Sequence, residues 1–531
     1  MSSSEPVDRS QHLTGPLEPA LDRTRSNNLN DIYRSVSHYT EASVFMGDKD
    51  RVAEGKQESS GSGSQATFPA GPPGPPTQQQ KRKVSFFSRE FLGYRKRFFK
   101  TYPVMLLIML TCMFGIFSIY WGSMYQRNSR FKNLKMLVVV EDPVDGHLPV
   151  FSQAINETSY IESVKYRGDW KVMTHSDVTE MTGIADPRGA TYRLIHHQKY
   201  WSAVYVNANA TSNYATALED ADSSFRLNGS VVEVIYETGR DMTAMQSYVT
   251  PGVKVFEETF LSLSAASAIK PLTANLSSSA LTKVAKDTTL LSQVPTFTYT
   301  DEKPITNPVV LAPSQIGLIY LIILTFFQFN FFIKLHGEMA HHMNTTHYLV
   351  YRLLSAHGAY LVLSLGYSAI SAAFQVDFSQ AYKGGFGVQW MVSYLTMAAV
   401  GGANENIALI CFATMPPLVG FWMLFWVIFN ISPTFSPIVL CPDFYRYGYM
   451  TPIHNSYEAT KVIIFNTWKG ELGRNIGILI AWIVIHTLVF PLCVMFFAWR
   501  AQKPGTAAFG ATRAPPPIAL PEKNIDKEEL A

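Results

Sequence analysis

Charged residues and cysteines are both scarce in this sequence. Only 16% of the 531 residues are Asp, Glu, Lys or Arg, and there are four cysteines. All four cysteines lie in apolar runs, and the long polar stretch between the first two apolar runs contains none. Disulfide bonds therefore do not hold that polar stretch together.

The sequence also lacks the short motifs of several enzyme classes. The P-loop pattern G-x-x-x-x-G-K-[ST] is absent, as are H-E-x-x-H, G-x-S-x-G and C-x-x-C. Without a P-loop, the chain cannot bind and hydrolyse ATP by that route. Since nothing else in the sequence indicates catalysis, we predict a protein that is not an enzyme and carries no cofactor.

Long apolar runs dominate the middle of the chain. A helix of about 20 apolar residues crosses the hydrocarbon core of a bilayer. We therefore predict an α-helical polytopic membrane protein, with a six-helix bundle and a mixed α/β extracytoplasmic domain inserted between helices 1 and 2. The runs without Asp, Glu, Lys or Arg are 103–126, 304–333, 353–376, 384–404, 406–442 and 475–499.

Charge around the first run sets the predicted orientation. Residues 1–80 are rich in Ser, Gln and Gly and are predicted to form a disordered cytoplasmic tail. A basic juxtamembrane segment, 81–102, precedes transmembrane helix 1 at 103–124. Because positive residues beside a span favour the cytoplasm, the N-terminus is predicted to be cytoplasmic.

Residues 125–312 have the composition of the predicted extracytoplasmic α/β domain. Segments 135–142, 200–208 and 230–238 are dense in β-branched and aromatic residues, which predicts strands. Two further segments are predicted to be helices, namely 252–269 and 278–293.

Four N-x-S/T triplets lie in this domain, at Asn156, Asn209, Asn228 and Asn275. Such a triplet is a glycan acceptor only on the lumenal or extracellular side of a membrane. The four asparagines are therefore candidate glycosylation sites, and they agree with the predicted side of the domain.

The remaining five transmembrane helices are predicted within 313–500, followed by a second disordered cytoplasmic tail at 501–531. Spans at about 387–403 and 407–430 are predicted to form a hairpin around the sequence GGANEN at 401–406. With six spans, both termini lie in the cytoplasm.

An aromatic outer loop is predicted at 431–474. Its apolar residues recur at helical spacing, which predicts an interfacial or shallow re-entrant helix. The residues on that predicted face are Ile453, Tyr457, Ile464, Phe465 and Trp468. The loop is interpreted either as a gate at the outer mouth of a substrate route or as an anchoring belt at the headgroup level. The candidate gate residues are Tyr445, Arg446, Tyr447, Tyr449 and Trp468.

Polar residues inside the apolar runs are candidate functional residues, because hydrocarbon penalises them unless they face a partner or a cavity. The candidates are Asn404, Glu405, Asn406, Gln328, Asn330 and His486. Glu405 is interpreted either as a proton or cation site in a route through the bundle, or as part of a hairpin turn wetted by the cytoplasm.

Histidines cluster in the segment 336–347, which is predicted to be an inner loop. His336, His341, His342 and His347 lie there with Glu338. Their spacing fits no standard zinc site, so no metal site is predicted.

Four segments resemble a family of fungal membrane proteins typified by the nitrosoguanidine-resistance protein of yeast. They are APSQIGLIYLIILTFFQF, WMVSYLTMAAVGGANENIALI, FWVIFNISPTFSPIVLCPDFYRYGYMTPIHN and ELGRNIGILIAW, and the resemblance covers roughly 95–500. It implies residence in the plasma membrane, tolerance to toxic compounds, and an influence on lipid distribution between leaflets. The layout also resembles the membrane subunits of type-2 ABC exporters, which rely on an ATPase that this chain lacks.

Two functions follow from these observations and this resemblance. The first is a permease-like protein that contributes to drug or toxic-compound resistance and to transbilayer lipid distribution, with membrane lipids, amphiphilic drugs and a separate ATPase or regulatory protein as partners. The alternative is a non-transporting membrane regulator or scaffold whose external domain binds or senses a ligand or partner. No nucleic-acid partner is expected.

Overall fold

The computed structural model of the chain describes residues 85–501. The two predicted tails, 1–80 and 501–531, lie outside the described residues apart from Ala501, which ends the last helix.

Within residues 85–501, five helices are long and apolar enough to cross a membrane. They are Arg89–Met124, Pro308–Ala340, Thr345–Ala373, Gly385–Thr414 and Leu472–Arg500. The chain is therefore a multi-pass helical membrane protein, as predicted. The predicted fifth span is shorter: the helix Leu418–Ile431 has 14 residues, about 21 Å at 1.5 Å per residue, against about 30 Å of hydrocarbon.

The helices and strands are numbered in chain order. The strands are β1 Lys135–Val140, β2 Asp169–Thr174, β3 Ser202–Val206, β4 Val232–Tyr236 and β5 Thr298–Asp301. The helices up to the second span are α1 Leu92–Met124, α2 Val150–Ser159, α3 Glu162–Lys165, α4 His175–Thr182, α5 Pro187–His196, α6 Ala210–Asp220, α7 Met242–Ala244, α8 Thr250–Ser264, α9 Lys270–Ala274, α10 Ser278–Lys286 and α11 Thr289–Ser292. The later helices are α12 Gly317–His342, α13 Thr345–Ala373, α14 Gly385–Thr414, α15 Leu418–Ile431, α16 Pro452–Phe465 and α17 Leu472–Ala501.

One five-stranded sheet lies between α1 and α12, in strand order β2-β1-β3-β4-β5. The pairs β1–β2, β1–β3 and β4–β5 are parallel, and β3–β4 is antiparallel. The segments predicted as strands contain β1, β3 and β4, whereas β2 and β5 were not predicted. Every residue of β3 is buried, while the edge strand β2 has two exposed residues, Asp169 and Lys171, and one buried residue, Met173. We call residues 127–301 the α/β region.

The prediction of a hairpin at 401–406 is wrong. These residues lie inside the continuous 30-residue helix α14, and the chain turns at Met415–Pro417, before α15 begins. Glycines mark turns but also allow helices to approach closely. A Cβ atom added at Gly402 would lie 2.7 Å from Cβ of His486 on α17. The glycine pair therefore serves helix packing.

Helix α16 lies inside the protein and runs from the bundle to the α/β region. Twelve of its 14 residues are buried. Near its start, Ser456 accepts a hydrogen bond of 2.6 Å from Thr396, which lies mid-way along α14. Near its end, Phe465 packs against Gly239 of the α/β region. The helix therefore extends from the middle of the bundle to the end of the bundle that carries the α/β region, here called the domain end.

The predicted helical face of the aromatic loop includes Trp468, but α16 ends at Phe465. Asn466 adopts a left-handed conformation with φ of 51° and ends α16. Trp468 therefore lies beyond the helix, and its ring stacks on His197 of the α/β region, with the ring centroids 5.7 Å apart.

The close approach of α14 and α17 predicts the effect of a methyl group at Gly402. The Gly402→Ala substitution is expected to destabilise the protein by about 0–2 kcal/mol, because overpacking costs about 1–3 kcal/mol and the helix propensity of Ala offsets about 1 kcal/mol; Gly358→Ala gains the propensity without the overpacking. Thermal melting of the detergent-solubilised protein measures it. Gly358→Ala is the control, because a Cβ at Gly358 meets nothing within 4 Å; equal melting temperatures for the two variants would contradict the packing.

Candidate functional site

A buried ion pair joins two of the spans. Arg352 Nη2 on α13 donates to Glu405 Oε1 on α14, and the two side chains are only 5% and 8% exposed. The Arg352 guanidinium also lies 5.9 Å from the ring centroid of Phe329 on α12. Charges inside a membrane are costly unless they are paired, so this pair requires α13 and α14 to stay together.

Arg352 is a site residue that the sequence analysis missed. It lies immediately before the uncharged run 353–376, and that run was taken as the whole span. The helix in fact begins at Thr345, so Arg352 lies about two turns inside it. A signal was present in the sequence: Arg352 belongs to a series of polar or small residues spaced four apart, which is close to one helical turn. The series is Tyr348, Arg352, Ala356, Tyr360, Ser364 and Ser368, and all six are buried in α13.

Three consecutive residues of α14 contact different helices, because successive helical side chains point about 100° apart. Asn404 donates to Thr325 Oγ1 of α12 at 3.0 Å and accepts from Trp422 Nε1 of α15 at 3.1 Å. Glu405 pairs with α13, as described above. Asn406 donates to the backbone oxygen of His486 on α17 at 3.1 Å. Glu405 is thus surrounded by protein and is not part of a wetted turn.

Three polar atoms beside the ion pair have no partner among the described residues. They are Oδ1 of Asn406, Nε2 of His486 and Nε2 of His336, and all three are buried. The other two predicted candidates lie apart from the pair. Gln328 is buried on α12, and Asn330 donates to Phe326 of its own helix at 2.8 Å.

Two small cavities flank the ion pair and share Phe490. One is lined mainly by apolar side chains, with Arg352 and His336 among them, and has a volume of about 40 Å³. The other is lined by Gly402, Glu405, Asn406 and His486, and has a volume of about 20 Å³. We call the two together the α14 groove. Since a drug-sized ligand needs about 300 Å³ or more, the groove is closed in this conformation. The apolar lining is Phe329, Ile333, Leu409, Phe412, Phe490, Val494 and Phe497.

A match to a protein family covers both the α/β region and the ion-pair cluster. Residues 105–488 match a family model described as "Protein of unknown function (DUF3533)". The chain belongs to this DUF3533 family. The match begins within α1 and ends within α17, so it includes the α/β region, α16 and every residue of the ion-pair cluster.

A relative in Saccharomyces cerevisiae supports the same assignment. It is named an uncharacterized endoplasmic reticulum membrane protein, and it is 32% identical over 458 residues, which are 83% of this chain and 89% of the relative. No solved structure matches the chain. Membership of this family therefore does not by itself indicate an activity.

The five candidate gate residues of the DUF3533 chain do not form one gate. Tyr445 donates to the backbone oxygen of Ile119 on α1 at 2.5 Å. Tyr447 stacks on Phe429 of α15, with ring centroids 4.2 Å apart. These two rings hold the segment before α16 against the bundle. The remaining three gate candidates have different surroundings. Arg446 is exposed and pairs with Asp443. The ring centroid of Tyr449 lies 5.9 Å from the guanidinium carbon of Arg474, and Trp468 contacts His197.

The four candidate glycosylation sites lie in the α/β region of the family match. Asn209, Asn228 and Asn275 are exposed, whereas Asn156 is half-buried within α2. The sequon threonine of Asn156, Thr158, donates to Ala154 O at 2.8 Å and is fully buried. Glycosylation stays a prediction at all four, and the geometry favours the three exposed asparagines.

The histidine-rich segment is helical rather than a loop. Helix α12 continues through His342, and α13 begins at Thr345. His336 bonds to the hydroxyl of Tyr351 at 3.2 Å, and His342 bonds to the backbone oxygen of Glu338 at 2.9 Å. Among residues 85–501, no group of three or more His, Cys, Asp or Glu residues is arranged to hold a metal ion.

The burial of the ion pair predicts how single and double substitutions differ. Arg352→Ala leaves a buried unpaired carboxylate and is expected to cost about 3–5 kcal/mol of stability, whereas the charge-free pair Arg352→Met with Glu405→Leu is expected to be about as stable as the parent protein. Thermal melting in detergent measures both.

Arg446→Ala is the matched control for that comparison. Arg446 and its partner Asp443 are 72% and 87% exposed, and exposed pairs contribute about 0–1 kcal/mol. If Arg352→Ala destabilised the protein no more than Arg446→Ala, the pair would not be buried as described.

Proposed function

We propose that this protein is permease-like and moves amphiphiles, either phospholipids or amphiphilic drugs, between the two leaflets of its membrane. The observation that carries the proposal is the Arg352–Glu405 pair beside the α14 groove. Ionisable residues inside a bundle are costly and mark substrate or ion pathways. The apolar wall of the groove suits hydrocarbon, and its polar floor suits a headgroup.

The chemistry of the groove supports a route rather than a purely structural cluster. Asn406 Oδ1 can accept a hydrogen bond from a ligand, and His486 Nε2 can donate or accept one. Occupying the groove requires α13 and α17 to move apart, because both pack on α14 and leave little free volume. Glu405 is the group whose charge a coupling proton or cation would neutralise.

An external energy source or a downhill gradient would drive this movement, because the chain has no P-loop. A separate ATPase is one such partner, and a regulatory protein is another. Drug or toxic-compound resistance follows if the amphiphile is toxic, and altered lipid distribution between leaflets follows if it is a lipid.

In this proposal the domain end is extracytoplasmic and both termini are cytoplasmic. The resemblance to nitrosoguanidine-resistance proteins favours the plasma membrane, whereas the name of the yeast relative places that relative in the endoplasmic reticulum. The α/β region faces away from the cytoplasm in either membrane. A fluorescent fusion distinguishes the two locations.

The alternative is a non-transporting regulator or scaffold whose external domain binds a ligand. It is favoured by a direct link between the α/β region and the bundle: Lys461 Nζ on α16 donates to the backbone oxygen of Arg240 at 2.5 Å. Through such contacts, ligand binding to the α/β region would change the packing of the bundle.

The charge-free double variant tests transport independently of folding. In liposomes containing the purified protein, movement of a fluorescent phospholipid is expected to fall at least tenfold for Arg352→Met with Glu405→Leu, although this variant is expected to be as stable as the parent protein. Quenching of the outer-leaflet fluorophore measures the movement, and Arg446→Ala is the control. If the double variant moved the phospholipid as fast as the parent protein, the groove would not be part of the transport route. If the parent protein itself moved no phospholipid, the alternative of a non-transporting regulator would be favoured.

The proposed sidedness makes a separate prediction. Enzymatic deglycosylation is expected to shift the mobility of the protein from intact cells or sealed microsomes, because the three exposed sequons then carry glycans. Replacing Asn209, Asn228 and Asn275 with Gln together is expected to abolish the shift. A protease that removed the α/β region from the cytoplasmic side would contradict the topology.

A further inference from the structure

A second, larger cavity lies where the α/β region meets the bundle. Its volume is about 410 Å³. The α/β region forms one side, and α16, the start of α17 and residues 433–439 form the other. We call it the interface cavity. Its charged lining consists of the basic residues Lys135, Lys199, Arg240, Lys461 and Arg474 and the acidic residues Asp241, Glu458 and Glu471.

Two of the basic residues are held in the wall by protein contacts. The Arg240 guanidinium lies 3.8 Å from the ring centroid of Trp201 and donates to the backbone oxygen of Tyr200 at 2.6 Å. Burial lowers the pKa of Arg240 to about 10, so it stays charged at neutral pH. Lys461 pairs with Glu458 at 2.8 Å. These groups build the cavity and supply positive potential.

Other basic groups remain available to a ligand. Lys135 and Lys199 are exposed, and neither forms an ion pair within residues 85–501. His454 is 7% exposed, and its Nδ1 atom has no partner among the described residues. Five basic residues against three acidic ones leave an excess of two positive charges around the cavity. An anion complements the charge of the two lysines, and the buried imidazole of His454 can donate a hydrogen bond to it.

The position of the cavity indicates what kind of anion it meets. Ser436, which lines the cavity, accepts a hydrogen bond of 2.7 Å from Arg127, just beyond the end of α1. Close by, Trp121 in the last turn of α1 and Tyr125 just after the helix are each 63% exposed, and exposed Trp and Tyr side chains prefer the headgroup level of a bilayer. The cavity therefore lies at the headgroup level of the domain-end leaflet.

The chemistry of the lining also favours a molecule with an apolar part. Pro433, Ile438 and Val439 line the cavity together with the cationic groups. Lysine binds phosphate as a point charge, and phosphate is the anionic group that membrane amphiphiles carry at this level.

We propose that the interface cavity binds the phosphate ester of an amphiphile's headgroup from the domain-end leaflet, with Lys199, Lys135 and His454 as its ligands. This deepens the proposed function, since it names the headgroup chemistry, but binding is measured apart from movement. A lipid and a soluble phosphate ester share this chemistry, and the experiment separates them.

The test uses the purified full chain in detergent and native mass spectrometry. The probes are a short-chain phosphatidate, the matching diacylglycerol, glycerol 3-phosphate and inorganic phosphate. Phosphatidate is expected to bind at least tenfold more tightly than the other three. Lys199→Glu is expected to weaken phosphatidate binding at least tenfold, whereas Lys254→Glu, an exposed lysine of α8 outside the cavity, is expected to leave it unchanged.

Each contrary result overturns a defined part of the inference. If diacylglycerol binds as tightly as phosphatidate, or if the two lysine variants behave alike, there is no phosphate site in the cavity. If glycerol 3-phosphate or inorganic phosphate binds as tightly as phosphatidate, the assignment to a lipid is overturned. Arg352→Met with Glu405→Leu is expected to retain phosphatidate binding, so a failure of the transport proposal is distinguishable from a failure of this one.

Discussion

The constraint on which the bundle depends is the cost of a charge in hydrocarbon. Glu405 and Arg352 are tolerated only because each neutralises the other within the protein. Their side chains meet because α13 and α14 pack closely, and Gly401 permits this by contacting Tyr360 of α13 without a side chain of its own. The adjoining asparagines then hold α12, α15 and α17 around α14. Helix α14 is accordingly the central element of the bundle.

The sequence predicted the membrane class because uncharged apolar runs of hydrocarbon length are rare in soluble proteins. It predicted β1, β3 and β4 because strands in the middle of a sheet are buried on both faces and therefore continuously apolar. The edge strand β2, "DWKVMT", was not predicted, because its exposed positions carry polar residues. Local composition therefore predicts the elements that are buried most uniformly.

The site could be predicted only in part, for two physical reasons. Glycine and asparagine favour both turns and close helix contacts, so GGANEN at 401–406 was compatible with either, and only packing partners decide. Arg352 was missed because a charge normally marks the end of a span, whereas here its partner comes from another helix. The interface cavity combines residues separated by more than 300 positions, from Asn133 to Arg474, and no local pattern contains it.

Helix α16 connects the two sites physically. Glu458 and Lys461 line the interface cavity, while Ser456 of the same helix is hydrogen-bonded to Thr396 of α14. The start of α16 is further held by Asn430 of α15, whose Oδ1 accepts from the backbone nitrogen of Ile453 at 3.3 Å. A change in the position of α16 at the interface cavity would therefore act on its hydrogen bond to α14. One short buried helix thus gives the α/β region a mechanical connection to the charges inside the membrane.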